Sequence, residues 1–400
     1  MARTTFKITA VTDVGLVRTN NEDNLVAISD LNVADSTWKS DEICELGDRG
    51  ALLVVADGMG GMNAGEVASE IAISTIKEIF TEQITDSVLA SSESIIAFMN
   101  DAILTADKRI KSEGKHRPDA KGMGTTIVVA WLYKGLLYVS WCGDSRAYIF
   151  NQEMGLVRIT KDHSYVQELV DNGVLRPEDA FDFPESNIIT RCLSHSTIKA
   201  EPDNLKVPYR VVSGDIILLC TDGLCGMIRD FEIANIISSH TDSMAECATA
   251  LIDAAKAASG SDNITVDLCQ ILTDGDEIQE TPTAHLNDFV QNKTLADGDT
   301  GRHRTPKEGE SPSLPGNYTR TQFIYKKRGP SKKLVIILAV IVVLLGAGII
   351  VGNIFLKGKQ ASPAVETTDP LADNGQDIIV DEATTSEPVQ PADTALTINL

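Results

Sequence analysis

Ala51-Leu-Leu-Val-Val-Ala56-Asp57-Gly58-Met59-Gly60-Gly61 carries six apolar residues into an acid and a glycine-rich turn. The run is too short for a helix and rich in branched side chains, so it reads as a buried strand that ends at Asp57. The same grammar recurs. Ile216-Ile-Leu-Leu-Cys220 runs into Thr221-Asp222-Gly223, and Gly260-Ser-Asp262-Asn263 opens the apolar stretch Ile264–Ile271. A fourth acidic motif, Arg18-Thr-Asn-Asn-Glu22-Asp23-Asn24, lies between strand-like stretches at 6–12 and 24–29. A lone Asp-Gly after a strand is ordinarily a turn. Three single aspartates at comparable strand ends, together with the Glu22-Asp23 pair, read instead as an all-oxygen set suited to hard divalent cations. Glycine in these places lets the backbone come close to an ion, and the Gly58 carbonyl can itself be a ligand. Two such ions a few ångströms apart can activate water and hold a phosphate for in-line attack.

Outward from these motifs, apolar spacing predicts helices over 63–82, with Asn63 as its cap, and over about 93–112. Strands are expected at 125–133, 136–142 and 147–151, joined by Lys134-Gly135 and Gly143-Asp144-Ser145-Arg146. Helices over about 230–239 and 243–258 precede the last strand. Many antiparallel strands with a few long helices give an α+β class, here a two-layer antiparallel β-sandwich flanked by helices. Residues 163–189 contain Pro177, Pro184 and several acids, and lack strand alternation after Val174. They read as a helix over about 164–172 followed by a mobile flap.

Composition divides the 400 residues into a domain (1–272), a polar linker (273–333), a transmembrane helix (334–356) and an acidic tail (357–400). The domain carries 40 Asp+Glu against 23 Lys+Arg, a net charge of −17. Without basic clusters, that charge argues against nucleic acid as a partner. The linker contains Pro282, Pro306, Pro312 and Pro315 and little apolar periodicity, so it reads as a disordered tether whose threonines are expected kinase targets. Leu334–Leu356 is 23 residues without a charge. At about 1.5 Å per residue it is roughly 34 Å long, enough for a hydrocarbon core of about 30 Å. Lys326, Lys327, Arg328, Lys332 and Lys333 precede it, and only Lys357 and Lys359 follow. The positive-inside rule then gives a single-pass cell-membrane protein with its domain in the cytoplasm and its tail outside. Gly348-Ile-Ile-Val-Gly352 offers a small-residue face through which the span can dimerise. The seven cysteines form no CxxC pair and read as buried, reduced thiols. Residues 1–11 are too polar for a signal peptide.

In order, spacing and chemistry, Arg18…Glu22-Asp23, Asp57-Gly58-x-Gly-Gly, Gly143-Asp144-Ser145-Arg146, Thr221-Asp222-Gly223 and Asp262-Asn263 resemble the signatures of the metal-dependent serine/threonine protein phosphatases of type 2C, in their bacterial form. The resemblance covers about residues 5–272. It implies hydrolysis of phosphoserine or phosphothreonine in proteins by a metal-bound hydroxide, with Arg18, Asp57 and Asp222 carrying the chemistry. Asp57 would bridge two Mn²⁺ or Mg²⁺ ions. The Gly58 carbonyl and, through water, Glu22 would hold one ion, and Asp222 and Asp262 the other, with Asp23 and Asn263 supporting them from behind. Arg18 would clamp the phosphoryl group. Asp144, with Asp222, would hold a third ion. Gly226 stands where some members have another ligand for that ion, and Ser186 in the flap is a candidate to replace it. Met59 stands where eukaryotic members have a histidine proposed as general acid, and a thioether has no proton to give. His163 reads as structural. Bacterial members commonly oppose a membrane-bound Ser/Thr kinase, so phosphoproteins, that kinase among them, are the expected partners. A shared membrane would raise their effective concentration. Two other readings are weaker. An inactive phosphoprotein adaptor would not need the full set of acids, and a sensor acting through its tail would have only 41 residues, 360–400, without a cysteine or a core.

Overall fold

The computed structural model describes residues 3–33, 39–60, 64–117, 122–195, 198–275 and 283–289. Two sheets of antiparallel strands pack face to face. The first has the spatial order Ile43–Glu45 (β3), Thr5–Asp13 (β1), Ile264–Thr273 (β14), Ile216–Cys220 (β13), Arg146–Asn151 (β8), Gly155–Arg158 (β9). The second runs Leu193–Ser194 (β10), Gly124–Thr125 (β5), Ala51–Met59 (β4), Ile127–Tyr133 (β6), Leu136–Cys142 (β7), Asp203–Asn204 (β11). Asp23–Ile28 (β2) pairs with β4, and Tyr209–Arg210 (β12) pairs with β7.

Helices Ala64–Glu82 (α1) and Ser92–His116 (α2) cover the outer face of the second sheet. Tyr165–Asp171 (α3) and the single turn Asp222–Cys225 (α4) are short. Asp230–Ser239 (α5) and Met244–Ala258 (α6) cover the first sheet.

Each central strand is buried on both faces. In β4, Leu52, Val54 and Ala56 meet Ile76, Phe80 and Ile103 beneath α1 and α2, while Leu53 and Val55 face Ile8, Ile217 and Leu219 of the other sheet. In β14, Val266 and Leu268 meet Ile237 and Leu251 beneath α5 and α6, while Cys269 and Ile271 point into the sandwich. That double burial is why these strands read as unbroken apolar runs and not as alternating ones. Phe80 meets Trp131 edge to face with ring centroids 5.1 Å apart, locking α1 onto the sheet.

The ladders alone decide where the acidic motifs go. β1 ends at Asp13 opposite Ile264, the first residue of β14. β13 ends at Cys220 opposite Arg146, the first residue of β8. In the second sheet Asp23, opening β2, lies opposite Asp57, and Ile127, opening β6, lies opposite Cys142, closing β7. Residues 14–22 and 143–145 cross from one sheet to the other at this same end. All five motif-bearing segments therefore meet at one end of the sandwich.

Several expectations change in detail. The long helices and strands fall within a few residues of their expected bounds, but β4 continues to Met59, so Asp57 sits inside a strand and not at its end. Asp222 opens a helical turn. Strands β3 and β9–β12, two to four residues long, carry no readable period. The expected flap has a small apolar core of its own, in which Tyr165, Val166, Leu169 and Leu175 pack with Phe183 and Ile188. Its two ends are tied by Tyr165 N–H to the Ile188 carbonyl at 2.9 Å. Part of the expected tether also packs. Leu286 is buried in the sandwich core with Phe289 against it, and Ala284 N–H bonds the Pro208 carbonyl at 2.9 Å. Asn63, most of the tether, the span 334–356 and the tail lie outside the described residues. Among the described residues no helix is long and apolar enough to cross a membrane. The seven cysteines are free thiols, six of them buried.

Among the polar groups buried mid-strand, one carboxyl stands out. Asp267 of β14 is fully buried and shares its side of the strand with Cys269. Neither carboxyl oxygen has a hydrogen-bond partner, and burial pushes its pKa well up. A raised acid is protonated in the fold, so stability falls as pH rises from the ordinary carboxylate range toward the raised value. Asp267→Leu is expected to stabilise the chain by about 1–3 kcal/mol. The gain, measured by urea unfolding, should be larger at pH 8 than at pH 5; an equal gain at both would contradict a buried, titrating carboxyl.

Candidate metal centre

Glu22 is fixed from three sides. Its backbone carbonyl accepts Gly58 N–H at 3.1 Å, extending the β2–β4 pairing, and Ser69 Oγ of α1 at 2.7 Å. Its N–H donates to Asn263 Oδ1 at 2.8 Å. Its carboxylate lies over the first turn of α1, where a Cβ on Gly65 would stand 2.8 Å from Oε1. A helix N-terminus favours negative charge there. Gly58 is equally confined, since a Cβ would fall 2.3 Å from the Glu22 carbonyl and 2.4 Å from that of Gly65.

Asp23 and Asn263 join the two sheets. Thr221 Oγ1 and Thr265 Oγ1, both on the first sheet, each donate to Asp23 Oδ2 at 2.8 Å. Thr221 precedes Asp222, so this bond fixes where Asp222 leaves β13. Asn263 Nδ2 donates to the carbonyls of Val14 at 3.0 Å and Asn20 at 2.9 Å, drawing the 14–22 connection against β14. Its backbone N–H donates to Asp262 Oδ1 at 2.9 Å. Gly223 packs so tightly on this strand that a Cβ would stand 1.8 Å from the Asn263 carbonyl. Glu22, Asp222 and Asp262 are thereby gathered around one asparagine.

Arg18 stands among these acids. Its Nη2 lies 2.9 Å from both Asp262 oxygens, and Nη1 lies 4.0 Å from Glu22 Oε2. A surface bridge to Glu22 alone is therefore not its main contact. Asp57, 4% exposed, is held through its backbone: its carbonyl accepts Thr126 N–H at 2.9 Å and Thr125 Oγ1 at 3.0 Å, and its N–H donates to Thr126 Oγ1 at 3.2 Å. Thr126 Oγ1 is also 2.6 Å from Ser145 Oγ, and a Cβ on Gly143 would meet Thr126 Cβ at 2.5 Å. This places the turn that carries buried Asp144 beside Asp57.

The other expected residues lie further out. His163 is structural: Gly143 N–H donates to its Nδ1 at 3.1 Å, so the proton sits on Nε2, 3.1 Å from Asp203 Oδ2. That hydrogen bond holds the Asp203 carboxyl below its usual range. Arg146 grips Asp162 through Nε at 3.0 Å and Nη2 at 2.7 Å, fixing the root of the flap to β8. Met59 is buried against Ile189, Cys192 and Ile198. Ser186 is exposed, and its N–H bonds the Phe183 carbonyl at 3.0 Å within the flap; no hydrogen bond joins it to the acidic end among the described residues.

Among the described residues no three His, Cys, Asp or Glu side chains form a ready-made cluster. Convergence is carried by backbone, with carboxylates linked through Arg18 and Asn263. The donor set is nevertheless oxygen throughout, and glycines at 58, 65 and 223 let backbone and acids pack closely together, which fits a hard cation. Thr126 and Thr265 escape the sequence reading, since their only signal is a polar residue at the edge of an apolar run; Ser145 and Thr221 lie inside motifs that it picks out, but their hydroxyl bonds do not show there.

A family model described as Protein phosphatase 2C matches residues 36–259. The Listeria welshimeri serine/threonine phosphatase stp is 35% identical over 255 residues, covering 64% of this chain and 92% of that one. The Mycobacterium tuberculosis serine/threonine protein phosphatase PstP is 30% identical over 373 residues, covering 90% of this chain and 63% of the relative. A crystal structure of the PstP catalytic domain in complex with 2 manganese ions matches with a TM-score of 0.53 at 30% identity, over 67% of this chain and 99% of that one. The chain belongs to the protein phosphatase 2C family and is a serine/threonine protein phosphatase.

Gly223→Ala tests the packing at this end without touching a charge. The added methyl cannot fit against the Asn263 carbonyl, and overpacking of this kind costs about 1–3 kcal/mol. The loss should appear in urea unfolding; a variant as stable as wild type would mean that Asp222 and Asp262 are not held by this contact.

Proposed function

We propose that this chain hydrolyses phosphoserine and phosphothreonine in proteins with two Mn²⁺ or Mg²⁺ ions held at the acidic end of the sandwich, and that it does so tethered to a membrane. The observation that carries this reading is the joining of Glu22, Asp262, Asp222 and the Asp57–Gly58 backbone by the bonds of Asn263, Asp23 and the β2–β4 ladder. Asp57, the Gly58 carbonyl, Glu22, Asp222 and Asp262 would hold the two ions. Asp144 and Asp222 would serve a third. When bound, such ions would neutralise phosphoryl oxygens and ease the loss of a proton from the attacking water.

The chain's own residues supply the rest. Arg18 offers a planar fork that matches two phosphoryl oxygens, and Asp262 aims that fork until substrate arrives. Glu22 and Asp23 tie the start of β2 to the other sheet. In the hydrolysis a water oxygen bonds to phosphorus, the bond to the serine or threonine oxygen breaks, and that oxygen takes up a proton. Met59, buried and without a proton, is not its donor. The charged flanks of Leu334–Leu356 support a single-pass anchor with this domain in the cytoplasm. On one membrane the enzyme would oppose a Ser/Thr kinase whose substrates it shares.

Phosphate release from a phosphothreonine peptide by the full chain tests the chemistry. Activity should require added Mn²⁺ or Mg²⁺ and fall about a hundredfold or more in Asp222→Asn, while Arg18→Lys raises KM about tenfold through loss of the fork. Full activity in chelator, or in Asp222→Asn, would contradict the reading. The anchor is tested by fractionation: the full chain should sediment with membranes and residues 1–333 should not, and equal partition would argue against it.

A further inference from the structure

The turn between β1 and Arg18 holds apolar side chains in water. Val14, Leu16 and Val17 are 37%, 63% and 53% exposed. They are three of the nine large apolar side chains that stand exposed among the described residues, set within four consecutive positions. Single apolar side chains scattered over a surface need no explanation, but a group of them beside a site suggests contact. Looseness does not account for this group, because the turn is pinned. Gly15 N–H donates to Asp13 Oδ1 at 2.8 Å and Leu16 N–H to the Gly260 carbonyl at 2.7 Å. Asn263 Nδ2 holds the Val14 carbonyl at 3.0 Å, and Lys256 holds Asp13 at 2.9 Å. Gly15 adopts φ +76°, and a Cβ there would lie 2.2 Å from the Asp262 carbonyl. The turn is thus built against the residues that carry Asp262, and the residue after Val17 is Arg18, whose guanidinium reaches Asp262 and Glu22.

We propose that Leu16 and Val17 form a specificity lip on which an apolar side chain of a protein substrate packs, within one or two residues of its phosphorylated serine or threonine. The proposal rests on the phosphatase reading of the adjoining site. An extended substrate advances roughly 3.3 Å per residue, so a neighbour that close to a phosphate held near Arg18 arrives at the turn beside it. The apolar crown fits an apolar neighbour, and the domain's net charge of −17 disfavours an acidic one.

The test uses the full chain with Mn²⁺ and three phosphothreonine peptides identical except for Leu, Ser or Asp on both sides of the phosphothreonine. Wild type is expected to favour the Leu peptide over the Ser peptide about tenfold in kcat/KM, a difference of about 1.4 kcal/mol. The double variant Leu16→Ser, Val17→Ser should bring that ratio near one. A wild type that does not distinguish Leu from Ser overturns the lip. So does a double variant slowed equally on all three peptides with its ratio kept, which would mark a merely structural role. A wild type that releases phosphate from no peptide sinks the phosphatase reading and the lip with it.

Discussion

A single carboxylate on one sheet is held by two threonine hydroxyls on the other, and the acidic end of this molecule depends on that joint. Asp23 receives Thr221 and Thr265 at 2.8 Å each and is buried. Charge-assisted bonds of this kind are among the strong ones, and a buried carboxylate is costly without them. Asp23 therefore fixes the distance between β2 and the β13–β14 pair. Asp222 follows one of its partners in sequence, and Asn263, two residues before the other, bonds Glu22 and positions Asp262. Without such a joint four acids at the meeting point of two sheets would push the ends apart, since like charges at close range in a protein repel by kilocalories.

Much of this was legible in the chain. Buried strands announce themselves as short apolar runs, and glycine beside an acid marks where each run gives way. The readable features are local, within about ten residues. The joint is not local: Thr221 and Asp23 are 198 residues apart, and Thr265 and Asp23 are 242 apart. A hydroxyl at the edge of an apolar run looks the same whether it bonds a distant carboxylate or its own backbone. The helix expected at the flap's start is present, and the small core beyond it is hidden for a related reason. Val174, Leu175, Phe183 and Ile188 have neither strand nor helix period, yet they close a small core with α3. Only its position in the flap recommends Ser186 as a ligand, and it is exposed in a flap turn.

The domain also separates stability from chemistry along the strands. The middles of the central strands are largely apolar on both faces, and most of the hydroxyls, amides and acids of the site collect at one end. Arg146 with Asp162, and His163 with Gly143 and Asp203, carry that order outward to the flap root and the Asp144 turn. Asp267 is the acidic exception, a carboxyl buried mid-strand without a hydrogen-bond partner, and it marks a place where the fold has stability to gain.

Whether the ends of the two sheets form one cation site can be read from anomalous diffraction at the manganese edge, with crystals of the protein grown in Mn²⁺. Two strong peaks are expected within about 2.0–2.3 Å of oxygens from Asp57, Gly58, Asp222 and Asp262. Strong peaks confined to other surfaces, with these carboxylates bonded only to protein, would contradict it.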